Sequence, residues 1–275
     1  AAVTGGISAS ARVGSLAGTI DKVRGVFVLS GKSLVRNQGA LAQLLEETLT
    51  TAKFDQPERI RELVAQIRLA EEHSVTGQGH SLAMSAASAG MGRSAALAHR
   101  WNGLEGIRLV KALDDSLDQD DNLQQLAQQL LVISEEEYQA EIAVKLVDAW
   151  QGTVEPVVPS ELILPDSKLQ IQQAWTTNTQ VNFCARAYST VPSNHQDSAP
   201  LSVLGGFLRN SFLHTAIREK GGAYGGGASY DSDSGAFRFF SYRDPRLAET
   251  LEDFDASIRW LLDNNHDDRL LEEAV

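Results

Sequence analysis

Arg218 and Tyr224 are the residues of this chain best placed to do chemistry together. They lie six positions apart in the string Ile217-Arg218-Glu219-Lys220-Gly221-Gly222-Ala223-Tyr224-Gly225-Gly226-Gly227. A guanidinium, charged at any physiological pH, and a phenol are both hydrogen-bond donors. Aimed at one point, such donors suit a carbonyl, a developing oxyanion or a carboxylate. For that the chain must turn back between them, and the glycines allow it: an apolar helix pattern runs into them and an aromatic strand follows. Gly221 is expected to be the C′ residue that ends the helix. His214, four residues before Arg218, is expected to share its helix face, either lining the same cavity or in a structural or solvent-facing role. Gly222 and Gly225, on either side of Tyr224, are expected to permit close backbone approach and leave an edge where an extended peptide adds as a strand.

Three other arrangements invite chemistry and do not hold up. The glycine run resembles a phosphate loop, but such loops precede a helix N-terminus, whereas this run follows a helix and enters a strand. Gly25-Val26-Phe27-Val28-Leu29-Ser30-Gly31-Lys32-Ser33 resembles a Walker A loop with one residue too many between its glycines and a strand-like interior. Nucleotide binding therefore stands only as a rival reading, which ATP or GTP titration would discriminate. No two of the six histidines are four apart, so no histidine pair shares a helix face at zinc-ligand spacing. Glu71, Glu72, His73 and His80 read as a polar helix end, because neighbours such as Glu72 and His73 point apart on a helix. Arg243 precedes a helix cap and is expected to pair with a carboxylate. Cys184 is expected to be an inert small packing residue, and His80 has no role assigned.

The elements that must position Arg218 and Tyr224 follow from periodicity. Residues 179–188 alternate, with Val181, Phe183, Ala185 and Ala187 on one face. Residues 201–220 read as one helix with Leu204, Phe207, Leu208, Phe212 and Ile217 inward. Residues 236–242 form a strand after Asp233-Ser234-Gly235, and Asp244 is expected to N-cap a last helix with Pro245 at its first position. That helix carries Leu247, Leu251, Phe254, Ile258 and Leu261 inward. The first half has a similar order without a sequence repeat. Strands occupy the first forty residues, including Val26-Phe27-Val28-Leu29-Ser30. Leu41, Leu44, Leu45 and Leu49 mark one helix; Pro57 opens another with Ile60, Leu63, Val64 and Ile67 on its buried stripe. Helical patterns continue through 82–89 and 107–113, then a strand is expected at 130–134 and a helix at 138–150. Pro156, Pro159 and Pro165 interrupt the chain, so 153–173 is expected to be an extended linker. Each half reads as α+β, a mostly antiparallel sheet against helices.

With 275 residues, 43% of them hydrophobic and 22% charged, the chain has the makings of a soluble globular protein of one large domain or two smaller ones. Its formal charge of −12 argues against nucleic acid or an anionic membrane as partner and is compatible with basic peptides. A single cysteine excludes an intrachain disulfide and suits a reducing compartment. No run approaches the ~20 apolar residues of a membrane span. The start has no signal-peptide character and the last residues stop inside a helix pattern, so a fragment of a longer polypeptide is expected.

The Arg–Tyr string, Thr179-Gln180-Val181-Asn182-Phe183 and Ser241-Tyr242-Arg243-Asp244-Pro245 together resemble the fourth domain of presequence proteases, a branch of the pitrilysin/insulinase family of zinc metallopeptidases. Shorter matches, Ser30-Gly31-Lys32-Ser33-Leu34, Ser74-Val75-Thr76-Gly77 and Gly79-His80, resemble the third domain. The resemblance implies a third-domain-like part at 1–152, the linker at 153–173, and a fourth-domain-like part at 174–275. It also implies a parent whose two halves close around an unfolded peptide. The other half carries the zinc motif H-x-x-E-H; here Leu69 stands where Glu71-Glu72-His73 would need a histidine. The pair supplied to substrate is, by motif position, Arg218 and Tyr224. On this reading the chain is the non-catalytic, substrate-cavity half of a zinc metalloendopeptidase that degrades short unstructured peptides. It binds no zinc itself, is inactive alone, and has the N-terminal catalytic half of the same polypeptide as partner. Its compartment would be a bacterial cytoplasm or an organelle matrix or stroma. A catalytically dead scaffold or subunit of the superfamily is the alternative, although such relatives tend to lose the Arg–Tyr pair.

Overall fold

A computed structural model describes residues 4–16, 19–50, 55–117, 122–123, 126 and 170–275. The strand expected at 130–134, the helix at 138–150 and the linker prolines lie outside the described residues. The chain divides into two compact units, each discontinuous in sequence. One gathers Ala1–Arg12, Gly25–Leu69 and Val110–Ser160; the other gathers Val13–Arg24, Ala70–Leu109 and Glu161–Val275.

β1 (Thr4–Leu16) and β2 (Thr19–Ser33) pair as a two-stranded sheet, and β2 contains the whole glycine-bounded string at 25–33. α1 (Gln38–Thr50) follows, with Leu41 buried. α2 (Pro57–Ser88) opens on a proline at its first position, where the missing N–H costs nothing. In the first unit Ile60 packs with Leu117 and Leu123, and Val64 lies against them. The expected buried stripe is narrower than its periodicity suggested: Leu63 and Ile67 are 42% and 51% exposed. Ile60 and Val64 form a single ridge at four-residue spacing, and this small core reaches only that ridge. α2 breaks at Gln78, whose φ/ψ of −121°/20° is non-helical. The break falls between Gly77 and Gly79, two poor helix formers. α3 (Arg93–Asn102) and α4 (Leu104–Ser116) complete this helical run.

The second unit is built on a three-stranded antiparallel sheet, ordered β3 (Ala185–Ser189), β5 (Ala236–Tyr242), β4 (Gly225–Asp231). Between β3 and β4 run α5 (Ser198–Leu208) and a π-helical segment (Arg209–Lys220); α6 (Ala248–Asp263) and α7 (Asp268–Glu272) close the chain. The fold class is α+β. Strand alternation sorts β5 into two faces. Phe237 and Phe239 face a core of Leu208, Leu213, Ile217 and Phe254, where each fully buried side chain contributes about 1.5–3 kcal/mol. Phe240 and Tyr242 face the other way, toward His80 on the second half of α2.

Three local expectations need correction. β3 begins at Ala185, preceded only by an isolated bridge between Asn182 and Asp244. The N–H of Cys184 donates to the Ser241 hydroxyl at 3.3 Å instead of to a backbone carbonyl, which interrupts the ladder there. The helix expected at 201–220 changes winding at Arg209 from α to π. The last helix starts at Ala248, with Asp244 outside it and Leu247 54% exposed. The Asp244 carboxylate accepts from the Arg246 N–H at 2.9 Å, a turn contact that competes with helix entry.

Candidate functional site

The turn between Arg218 and Tyr224 resembles a Schellman cap widened by one residue, in keeping with the π-helical winding before it. The N–H of Ala223 donates to the Ile217 carbonyl at 3.1 Å, and the N–H of Gly222 to the Arg218 carbonyl at 3.1 Å. Gly222, with φ +78°, is therefore the C′ residue, not Gly221 as expected. Gly221 keeps right-handed helical angles, and the Arg246 guanidinium occupies the space a Cβ would need. Ile217 and Ala223, both buried, supply the apolar contact that accompanies this motif.

That geometry fixes where the two donors point. Ala223 turns inward, so Tyr224 turns outward and is 71% exposed. Arg218 sits exposed in the last turn of the π-helical segment. Among the described residues, neither the Arg218 guanidinium nor the Tyr224 hydroxyl has a hydrogen-bond or ion-pair partner. Their donors are thus free for something outside the chain. His214 is also exposed, and its Nδ1 lies 3.4 Å from Glu219 Oε1, five residues on, as the i→i+5 winding of a π-helix favours. Gly225 opens β4 with open space where a Cβ would be. Close approach belongs instead to Gly226, where a Cβ would meet Ile217 and the Phe240 carbonyl, and to Gly227, which accommodates the Arg209 side chain.

Behind Tyr224 stands an aromatic cluster that sequence reasoning missed. The Tyr224 ring meets the Tyr242 ring edge-on, 5.5 Å between centroids. Tyr242 also contacts His80 at 4.9 Å and Phe183 at 5.8 Å. A Cβ on Gly79 would collide with the Phe183 ring at 2.5 Å, so this glycine lets α2 come close. Burial pushes the His80 pKa down, keeping its ring neutral at pH 7, and its Nδ1 is buried without a hydrogen-bond partner among the described residues. The alternation of Phe240 and Tyr242 gave a signal for their shared face; nothing in the sequence signalled that His80 would meet it.

Arg243 departs from expectation. Among the described residues it pairs with no carboxylate; its guanidinium lies over the Tyr242 ring, 5.4 Å from the centroid. Its φ of +49° makes it the one non-glycine residue in the left-handed region among those described, a conformation costing about 1–3 kcal/mol. The neighbouring bonds impose it. Asn182 and Asp244 exchange backbone hydrogen bonds at 2.7 and 2.9 Å, and the fully buried Asp244 carboxylate accepts from Thr250 Oγ1 at 2.7 Å.

Elsewhere in this unit, Asp255 holds Arg186 at 2.5 Å and accepts from the Tyr188 hydroxyl at 3.0 Å; the Arg186 hydrogen bond keeps its carboxyl below the usual range. Cys184 is buried and its thiol pKa is pushed up by burial, as suits an unreactive packing residue. An open cleft of about 650 Å³, lined by residues including His99, Arg108 and Trp175, contains none of the Arg–Tyr string. Among the described residues no group of three histidine, cysteine or acidic side chains is placed to hold a metal.

Residues 1–113 match a family model for the domain associated with subfamily C of the M16 peptidases, and residues 172–275 match one described as PreP C-terminal domain. The chain belongs to the presequence-protease family. It corresponds to part of the C-terminal half of such a protease. It is 28% identical to the mitochondrial presequence protease of Yarrowia lipolytica over 98% of this chain and 29% of that protein. The proteins of the same name from Danio rerio and Saccharomyces cerevisiae are each 28% identical, over 94% and 95% of this chain. The chain spans just under a third of the length of these presequence proteases. Among the described residues no helix is long and apolar enough to cross a membrane.

Proposed function

We propose that this chain forms the substrate-cavity wall of a zinc metalloendopeptidase that degrades short unstructured peptides, with Arg218 and Tyr224 holding the scissile region. The observation that carries this is the pair itself: two exposed donors, without partners among the described residues, at either end of a hydrogen-bonded helix-ending turn, with Tyr224 backed by an aromatic cluster. Free donors on a fixed frame can grip a peptide carbonyl more strongly as it becomes an oxyanion. β4 is an edge of the described sheet, and an extended peptide can add to it beside Tyr224, with Gly222 and Gly225 leaving the approach clear. His214 lies on the same segment and lines the cavity.

In this proposal zinc and the general base belong to the N-terminal catalytic half of the same polypeptide, and the chain alone is inactive. The boundary between the two homologous domains lies in this proposal at 153–173, with 1–152 and 174–275 on either side, a division by sequence that differs from the two compact units. The protein works in a soluble reducing compartment, an organelle matrix being consistent with relatives named as mitochondrial. The free Arg–Tyr pair favours this over a catalytically dead scaffold. The test is cleavage of a short quenched peptide by the full-length polypeptide carrying Arg218→Lys or Tyr224→Phe. Both variants should lose turnover while melting normally. Wild-type turnover in both would refute the proposed role of the pair.

A further inference from the structure

Arg243 has the features of a binding residue that the Arg–Tyr pair leaves unexplained. In a strand, successive side chains point to opposite faces. The left-handed backbone at Arg243 breaks that rule, so its guanidinium folds back over the ring of its own predecessor, Tyr242. The same ring carries Tyr224 edge-on. The register accounts for the proximity: Gly225 pairs with Tyr242, which sets Tyr224 opposite Arg243, and the Tyr224 N–H donates to the Arg243 carbonyl at 3.4 Å. An exposed phenol and an exposed guanidinium are thus joined through one ring.

Arginines of this unit differ in whether they hold a carboxylate. Arg186, Arg238 and Arg246 each hold a carboxylate, those of Asp255, Asp231 and Asp253. Arg218 and Arg243 hold none among the described residues, in a chain with 36 acidic residues against 24 basic ones. The adjacent carboxylate, Asp244, is fully buried and already engaged with the Arg246 N–H and the Thr250 hydroxyl. A guanidinium that lies over a ring and in no ion pair keeps its N–H groups free, in the fork geometry that matches a carboxylate.

We propose that Arg243 is a specificity-determining residue that binds a carboxylate of the substrate peptide. The inference rests on the peptide-cavity reading above. In an unstructured peptide the carboxylate comes from the free C-terminus or from an acidic side chain. Its place over the Tyr242 ring pre-orders the guanidinium, so recognition lowers KM more than it changes kcat.

The experiment compares kcat/KM of the full-length polypeptide on four quenched peptides of one sequence: free C-terminus, C-terminal amide, and the amide with an internal Glu or the matching Gln. Wild type should prefer at least one carboxylate form over its neutral partner by about tenfold, as a charge-assisted hydrogen bond allows. The preferred form identifies the source. Arg243→Gln should bring that ratio close to one, and Arg243→Lys should give an intermediate value. Arg243→Asn, which tolerates the left-handed backbone, repeats the test should glutamine unfold the turn. No preference in wild type, or a preference retained in the glutamine and asparagine variants, overturns the proposal. Tyr224→Phe is run in parallel. Loss of its turnover on all four peptides with an unchanged Arg243 ratio sinks the role of Arg243 alone. Normal Tyr224→Phe turnover sinks the Arg–Tyr reading on which it rests.

Discussion

Removing one oxygen atom, in Tyr224→Phe, separates a substrate contact from a packing role. The ring is 71% exposed, and its edge-on contact with Tyr242 involves no hydroxyl. The hydroxyl has no partner among the described residues, so its loss leaves no buried group unsatisfied. Stability should therefore change by no more than about 0.5 kcal/mol, the range of ordinary surface substitutions. Catalysis should change far more. A donor that bonds the developing oxyanion is worth roughly 3–4 kcal/mol, or about a hundred- to a thousandfold in kcat. Because the bond tightens mainly in the transition state, KM should barely move. Tyr224→Ala adds loss of the ring pair, about 0.5–1.5 kcal/mol of stability, and shows what a packing defect looks like in the same melting assay. The measurements are kcat and KM of the full-length polypeptide on a short quenched peptide, with melting curves of each variant. A phenylalanine variant with wild-type kcat would refute the reasoning, and one that melts early would show the hydroxyl to be structural.

The two glycines of the turn should differ in mechanism. Gly222→Ala places a side chain at φ +78° with its nearest neighbour, Pro245 Cγ, 3.7 Å away, so it should cost about 1 kcal/mol from backbone strain alone. Gly221→Ala drives a methyl into the Arg246 guanidinium and should destabilise more; equal melting points would contradict the assignment of Gly222 as C′. Stability should also fall below about pH 6.5, because unfolded His80 and His99 take up protons there while burial holds their folded pKa values lower. The loss should level off once pH drops past the folded values, and His99→Gln should flatten the slope; an unchanged slope would refute it. Asp244→Ala strips the buried acceptor from Thr250 and the Arg246 N–H, so melting should drop by the equivalent of about 1–3 kcal/mol. A neutral result would mean other groups fix the Arg243 turn.

The turn that carries Arg218 and Tyr224 was legible because its signals are local. A glycine-terminated helix followed by an outward aromatic predicts a turn that exposes both ends, and Arg218 and Tyr224 stand where that logic puts them. The α+β class likewise followed from the order of strand and helix patterns. Errors arose where a side chain competed with a backbone rule. Ser241 took the Cys184 N–H and shortened β3, and Asp244 bonded the Arg246 N–H and Thr250 and so did not cap α6. The winding change at Arg209 has no signature in apolar spacing, since three- and four-residue repeats fit either helix over one or two turns. The contact between His80 and Tyr242 joins residues 162 positions apart, a pairing that only tertiary packing decides. Arg243 was misread because a carboxylate is the commonest partner of an arginine, whereas its strained backbone delivers it to a ring.

Chemical rescue of Arg218→Ala offers the sharpest test of whether this chain supplies part of a peptidase's active cavity. The guanidinium is exposed and free of partners among the described residues, so its removal leaves a solvent-accessible gap without disturbing the core. Turnover of a short peptide by the full-length variant should fall about a hundredfold. Guanidinium ion added below denaturing levels should restore a measurable share of kcat, and ammonium at equal ionic strength should not, because only the planar fork reproduces the lost donors. Undiminished turnover in the alanine variant would contradict the proposal, as would a loss that both cations restore equally.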